Sequence, residues 1–281
     1  MVLVMVLWII ILLTVIATGF AYSMRTEANL ARNAVDQARA RYLAEAGIVR
    51  AIVSALHPDP ARHWPSDGSV HRFSMAGGTV RVSVRDESGF IDLNRASPQV
   101  LDGLLRVVGI GEHKRVALVD AILDWRDRDG LRRLHGAEDE EYYRTGRDYG
   151  AKDARFEAVE ELQLVLGVSP PLYRKLEPWI TVHSGGGLNR GAAPREVLLA
   201  LPGANPDSVK AQLARRSQVT PATSRGAQQS LSQKLTRRPA GTYRISATGR
   251  VGSGASARIR AVLQLTHRVG EEVSVLDWKA G

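Results

Sequence analysis

Residues 1–24 read MVLVMVLWIIILLTVIATGFAYSM, and the first charged side chain is Arg25. Within that stretch only Thr14, Thr18, Tyr22 and Ser23 carry hydroxyls. A helix needs about 20 apolar residues to cross a bilayer core, so the run is long enough to span one. Helix-compatible sequence then continues with no Pro or Gly from Ala21 to Ala46, and on to Leu56, where His57-Pro58-Asp59-Pro60 stops it. In the second half Leu30, Ala34, Ala38, Leu43, Ala46, Ile48 and Ile52 make a broken apolar stripe, with Arg32, Asp36, Arg39 and Arg50 off it. The expectation is one rod of about 55 residues, about 80 Å long. A cleaved secretory signal has a shorter apolar core and a basic start, which this stretch lacks. A plain anchor explains residues 1–22 but not the uninterrupted polar continuation. Arg25, Arg32, Arg39 and Arg41 all follow the span, so the positive-inside rule places the body in the cytoplasm. A basic leader ahead of Met1 would reverse that orientation.

The chain has 281 residues, 44% of them hydrophobic, enough for an anchor and one or two folded units. It has no cysteine, which excludes disulfides, thiolate metal sites and cysteine nucleophiles and leaves the redox compartment open. The net charge is +9. Basic and acidic residues balance up to Gly203, and the excess lies from Lys210 onward. Such a concentration points to an acidic partner, anionic lipid or nucleic acid, although Arg215 to Arg238 reads first as a solvated loop.

Strand signals flank a helical block. His71 to Met75, a Gly77-Gly78 turn and Thr79 to Val84 form a hairpin pattern within Val70 to Asp92, with Val80, Val82 and Val84 alternating against Arg81, Ser83 and Arg85. Strand character returns at Thr242 to Thr248 and Ala257 to His267, and Val273 to Trp278 offers an edge. From Ser97 to about Lys234 the pattern is helical, with Ser97 as the cap of a helix opened by Pro98. One sheet built from both flanks, with the helical block inserted, is the economical arrangement, because two separate hairpins would each be marginal. The resulting fold class is α+β. Its parts are a transmembrane half-helix (1–24), a soluble half-helix (25–56), a first sheet portion (57–92), an inserted all-α domain (93–239) and a second sheet portion (240–281).

The inserted block contains an internal echo. Ile91-Asp92-Leu93-Asn94-Arg95-Ala96-Ser97-Pro98 precedes Val100-Leu101 and Leu104-Leu105, and Gly187-Leu188-Asn189-Arg190-Gly191-Ala192-Ala193-Pro194 precedes Val197-Leu198 and Leu201-Pro202-Gly203. Two related helical modules follow from this. In the first, Gly109-Ile110-Gly111 with Lys114 and Arg115 resembles a helix-hairpin-helix turn, whose backbone N–H groups can meet a phosphate. The same turn can simply pack two helices closely, and that reading is preferred. The alternative is a membrane-anchored DNA-binding protein of a competence system.

A second cluster is acidic. Asp124, Asp127 and Asp129 are followed by Glu138, Asp139, Glu140 and Glu141. Hard cations take several carboxylate and carbonyl oxygens from short loops. Asp127, Asp129 and Glu138 occupy three ligand places of an EF-hand-like window. Arg132 stands where that loop needs Gly, and Leu131 where it needs an oxygen. The expectation is an irregular calcium site drawing on Asp124, Asp127, Asp129 and Glu138, against caps and ion pairs with Arg126, Arg128, Arg132 and Arg133. Catalytic patterns are missing. None of the seven histidines stands in HExxH or beside Gly-x-Ser-x-Gly. Asp86-Glu87 and Glu160-Glu161 read as ordinary surface charges, and the chain is read as no enzyme.

Taken in order, Met1 to Trp8, Arg25-Thr26-Glu27-Ala28, Leu30-Ala31-Arg32-Asn33, Ala44-Glu45-Ala46-Gly47, Glu87 to Asn94, Asp120 to Asp127, Gly136-Ala137-Glu138 and Ala193-Pro194 with Val197-Leu198 resemble the type II secretion minor pseudopilin K family. The resemblance implies a pilin-like fold with a helical domain inserted in its sheet. It also implies the tip of a periplasmic pseudopilus, inner-membrane anchoring, and assembly with minor pseudopilins I and J, with H beside them. Exoprotein or the outer-membrane channel is an implied contact, and calcium in the helical domain is implied too. The family is made with a short basic leader cut after Gly and then N-methylated. Met1 is therefore the expected methylated residue, and the chain is expected to be the mature form or a gene reading begun too late. Met5 stands where most pilin-like subunits carry a Glu that pairs with a neighbour's amine. An unpaired carboxylate is costly in lipid, so Met5 suits a subunit with nothing above it.

Overall fold

The computed structural model describes residues 1–57, 59–185, 187–218, 241–266 and 273–281. Helix α1 runs without a break over Val2–Leu56 and ends at His57, whose backbone is extended. Its buried residues begin only at Ala40 and continue through Leu43, Ala44, Gly47, Ile48, Ala51 and Ser54. This is one face at helical spacing. The expected rod is therefore present, and only its last third rests on the body.

That third lies on an antiparallel sheet of β1 (Asp67–Met75), β2 (Gly78–Asp86), β5 (Gly241–Val251), β6 (Ser256–Leu265) and β7 (Val273–Ala280), in the spatial order β1-β2-β5-β6-β7. Strands from both flanks thus share one sheet, because β2 pairs directly with β5. The inward row of Val80, Val82, Val84, Ile245, Ala247, Ile259, Ala261 and Leu263 forms one core with Leu43, Ala44, Ile48 and Ala51 of α1. Two glycines set the spacing between the layers. A Cβ at Gly47 would lie 2.8 Å from Val80 Cγ1, and one at Gly249 would overlap the Ala40 carbonyl oxygen. The helix backbone therefore seats directly on the sheet. The expected strand at Ala257 to His267 ends at Leu265, and His267 lies outside the described residues.

Between β2 and β5 lies the helical unit. It contains α2 (Pro98–Val107), α3 (Glu112–Arg126), α4 (Asp139–Arg144), α5 (Pro170–Leu176), α6 (Arg195–Ala200) and α7 (Pro206–Gln218). A short parallel pair joins them, β3 (Ile91–Asp92) with β4 (Ile180–Thr181). The unit has its own core, built around Leu93, Leu104, Leu105, Ile122, Trp125, Tyr142, Leu162 and Leu198. Two readings are corrected here. Ile91 and Asp92 were taken as the end of the hairpin's strand region, but they pair with β4, and Ile91 is buried in the helical core. The strand ends at Asp86, whose carboxylate caps a single 3-10 turn at Glu87–Gly89 by accepting the Ser88 N–H. Of the helical pattern read to about Lys234, the described part reaches Gln218 in α7, and residues 219–234, with most of the basic stretch Arg215 to Arg238, lie outside the described residues. Glu87 was read as a surface charge, yet it is fully buried.

The internal echo is real in geometry, with a shifted register. Asp92 accepts from the N–H of Asn94 through its carboxylate and from Arg95 and Ala96 through its carbonyl. Asn189 repeats this with Gly191, Ala192 and Ala193. Asp92, not Asn94, is therefore the counterpart of Asn189. The helices that follow, α2 and α6, pack on each other so closely that a Cβ at Gly103 would overlap the Ala200 carbonyl.

Gly249→Ala should destabilise the fold by about 1–3 kcal/mol, because the new methyl meets helix backbone and not a yielding side-chain tip. Gly252→Ala, where nothing lies within 4 Å of the added carbon, is the control and should be near neutral. Chemical denaturation of the two variants checks the difference.

Candidate functional site

The largest unpartnered surface is α1 itself. An 18-residue stretch of it has a mean hydropathy of 2.8, and none of that stretch is buried against the protein. The bare surface does not stop at Met24. Val35, Tyr42, Val49 and Val53 are exposed at 50%, 68%, 58% and 58%. The first three are spaced seven apart and Val53 follows four later, so all four share the helix face turned away from the sheet. An apolar seam at that spacing is what a neighbouring helix covers in a bundle.

The second candidate is the acidic loop between α3 and α4. Asp124, near the end of α3, has no solvent exposure and accepts from the Arg133 N–H at 3.2 Å and the Arg133 guanidinium at 2.5 Å. The same guanidinium reaches Asp127 Oδ2 at 2.5 Å. Asp129 closes a turn by accepting the Leu131 N–H. Glu138 precedes α4, and its own N–H donates to Glu141. So the ion-pair and capping reading holds for Asp124 and Asp129. It does not account for the rest. Asp127 Oδ1, both carboxylate oxygens of Glu138, and Asp153 Oδ1 are buried with no donor.

Burial first, then the charges of Asp153, Asp124, Asp127 and Asp139, pushes the Glu138 carboxyl up to about 7. Asp153 is raised as well, by burial and then by Asp139, Asp127 and Asp129. Asp153 was not singled out in the sequence. Its backbone φ of 51° is rare for a residue other than Gly, and nothing in its sequence spacing ties it to the loop. Two glycines hug the cluster, since a Cβ at Gly136 would overlap the Asp124 carboxylate and one at Gly150 the Asp139 carboxylate. Among the described residues, no three acidic or histidine side chains form a ready-made metal sphere. The orphaned oxygens are nonetheless the hard, anionic donors that calcium takes.

The Gly109-Ile110-Gly111 turn joins α2 and α3, which pack on each other as read, but the packing does not need its glycines. A Cβ at Gly109 or Gly111 would meet nothing within 4 Å, so the glycines do not serve close helix packing. Gly109 is there for its φ of 89°. Arg115 donates to Asp102 at 2.7 Å and to the Ile110 carbonyl, which removes it from a phosphate's reach. Glu112 adds a negative charge to the first turn of α3. Glu160 and Glu161 are also engaged. Glu160 pairs with Lys279, and Glu161 accepts from the Glu157 and Ala158 N–H groups and from Lys152.

Residues 83–185 match the family described as type II secretion system (T2SS), protein K. This segment is similar to the protein K family. The chain is 27% identical over 207 residues to the type II secretion system protein K of Aeromonas hydrophila, covering 64% of this chain and 62% of that protein. It is 32% identical over 136 residues to the protein K of Pseudomonas aeruginosa, covering 44% of this chain and 40% of the relative. The matched part thus spans less than two thirds of each relative's length. In fold, the chain is similar to a chain of the crystal structure of the GspK-GspI-GspJ complex from the enterotoxigenic Escherichia coli type 2 secretion system. That match has a TM-score of 0.51 at 16% identity, with 92% of this chain and 99% of that one covered. The matched segment includes the acidic loop from Asp124 to Asp153, and α1 lies ahead of it.

Two outcomes follow for the acidic loop. With chelator present, the folded chain holds the Glu138 proton up to about 7, whereas an unperturbed Glu releases it near 4.5. The folded state therefore loses stability as pH rises between those values, and the melting temperature should fall over that window. Added calcium should abolish the fall. Glu138→Gln should melt higher than the natural chain in chelator and lose the upward shift with calcium, as read by calorimetry.

Proposed function

We propose that this chain is a non-enzymatic minor pseudopilin of the K type in type II secretion. In this reading residues 1–24 hold it in the inner membrane, with the sheet and helical unit in the periplasm. It joins minor pseudopilins I and J at the tip of the pseudopilus, with H beside them, and caps the growing fibre. The observation that carries the reading is the unbroken 55-residue helix with a bare apolar half and a bare seam at Val35, Tyr42 and Val49. Lipid can cover the first segment before assembly, and sister helices can cover both segments after it. The work done is mechanical. A helix that leaves lipid for a bundle exchanges one apolar surrounding for another, so little hydrophobic free energy opposes the transfer.

The periplasmic placement sets aside the orientation drawn from Arg25, Arg32, Arg39 and Arg41, on the ground that a leader decides topology in this family. Met1 is then the N-methylated residue. The crystal structure of a GspK-GspI-GspJ complex, to one chain of which this fold is similar, supports I and J as partners. The helical unit would face exoprotein or the outer-membrane channel. Calcium would be held by Asp127, Glu138 and Asp153, with Asp124 and Asp129 shaping the loop around it. Its charge would offset their repulsion and lock the α3–α4 connection.

Tyr42→Glu combined with Val49→Glu should leave the thermal melt of the head unchanged, since neither side chain packs on the sheet. It should lower recovery of I and J in affinity co-purification about tenfold. Undiminished recovery, or duplex DNA binding that Lys114→Glu removes, would count against the reading.

A further inference from the structure

The sheet face turned away from α1 carries a field of cations split by the edge of the helical unit. Alternation puts Arg72, Arg81, Arg85, Arg244, Arg250, Arg258, Arg260 and Lys279 on that face. Where the helical unit covers it, every cation is met. Arg244 pairs with Glu87, Arg260 with Glu177 and Lys279 with Glu160, and Arg85 donates to the Ala192 carbonyl at 3.0 Å.

The uncovered rows hold Arg72, Arg81, Arg250 and Arg258, all exposed. Arg72 lies directly opposite Arg81. Arg81 and Arg258 flank Thr248, and Arg250 sits two residues on, diagonal to both. None of the four has an ion pair among the described residues. Outside the described set, residues 219–240 contain no Asp or Glu, and Glu271 and Glu272 belong to the stretch joining Leu265 to Val273, two residues that pair at the far end of β6 from Arg258. Like charges directly opposite across two strands are destabilising, so solubility alone does not account for this arrangement. The planar guanidinium fork suits carboxylates better than a lysine would.

We propose that Arg72, Arg81, Arg250 and Arg258 form a docking surface for an acidic face of a partner protein. The covered half of the same sheet face shows the complement, namely carboxylates presented at cross-strand spacing. Lipid does not fit as the occupant. The patch is level with Ala40 and Leu43, which pack against Gly249. That is about 24 Å of helix beyond Met24. Anionic headgroups are screened within about 8 Å at physiological salt. The lipid argument rests on residues 1–24 spanning the bilayer. The patch itself does not depend on the pseudopilin reading.

The test uses the full chain in neutral detergent and a fluorescent heptaglutamate peptide, with binding read by anisotropy. The natural chain should bind it, and Arg81→Glu with Arg250→Glu should weaken binding at least tenfold. Because Arg81→Glu converts a repulsive pair with Arg72 into an attractive one, the melting temperature of that variant should not fall. Arg106→Glu with Lys175→Glu, the same change in net charge at exposed positions of the helical unit, should alter binding less than twofold. If the first pair fails to fold, Arg72→Gln with Arg258→Gln carries the same expectation at about threefold. Equal weakening by the control pair would overturn the proposal, as would no binding by the natural chain. Tighter, patch-dependent binding to phosphatidylglycerol vesicles or to a 20-base-pair duplex would overturn it too.

Discussion

A helix of 55 residues resting on strands of eight to eleven residues is held along only part of its length. That constraint organises the molecule. The buried residues of α1 run from Ala40 to Ser54, and N-terminal to them every residue but the half-buried Asp36 is exposed among the described residues. Nothing about helix propensity alone would keep so long an apolar rod in water. Its stability has to come from what surrounds it, and most helical stability in proteins has that origin. The sheet end is secured differently, by glycines that admit the helix backbone. Gly47 faces Val80 and Val82, while Gly249 and Gly78 make room for Ala40 and Leu43. The helix is fixed at one end and bare at the other among the described residues.

The head is likewise two cores joined at one junction. Arg244, projecting from β5, meets Glu87 through two hydrogen bonds of 3.0 and 2.6 Å, donates to the Ile180 carbonyl, and stacks on Phe90 at 3.8 Å. Both ions are withdrawn from water, so removing one alone would leave a buried charge, a cost of about 3–5 kcal/mol in comparable sites. Such a pair adds less net stability than definition. It fixes where the first residues after β2 and the strand β4 sit relative to the sheet. Around it Arg260, Lys279 and Asn189 add polar links to Glu177, Glu160 and Asp86. The helical unit is therefore carried on the sheet in a set orientation, with the acidic loop on the unit and the bare arginines on the sheet beside it.

Much of this was legible beforehand, for physical reasons. Long apolar periodicity, the Pro-containing stop after Leu56 and the Val80-Val82-Val84 alternation each follow from local chemistry, and the rod and the sheet were read from them. The echo of helical modules was read too, but its register was not. Asp and Asn close the same turn, so matching letters aligned Asn94 where geometry aligns Asp92. The burial of Glu87 was hidden because its partner Arg244 lies 157 residues away. Asp153 escaped for the same reason, since no sequence spacing ties it to Asp127 and Glu138. At the Gly109 turn α2 and α3 do pack on each other, but Gly serves close packing and positive φ alike, and sequence does not show that φ is what requires it.

A cysteine scan from Val35 to Val53 against single-cysteine I and J subunits tests the central claim most directly. The chain has no cysteine of its own, so each introduced thiol is unique. If α1 is a shared spine, crosslinking should peak at Val35, Tyr42 and Val49 and vanish at Leu43, Gly47 and Ala51, following the helix period. A flat profile, or no crosslink at any exposed position, would contradict it.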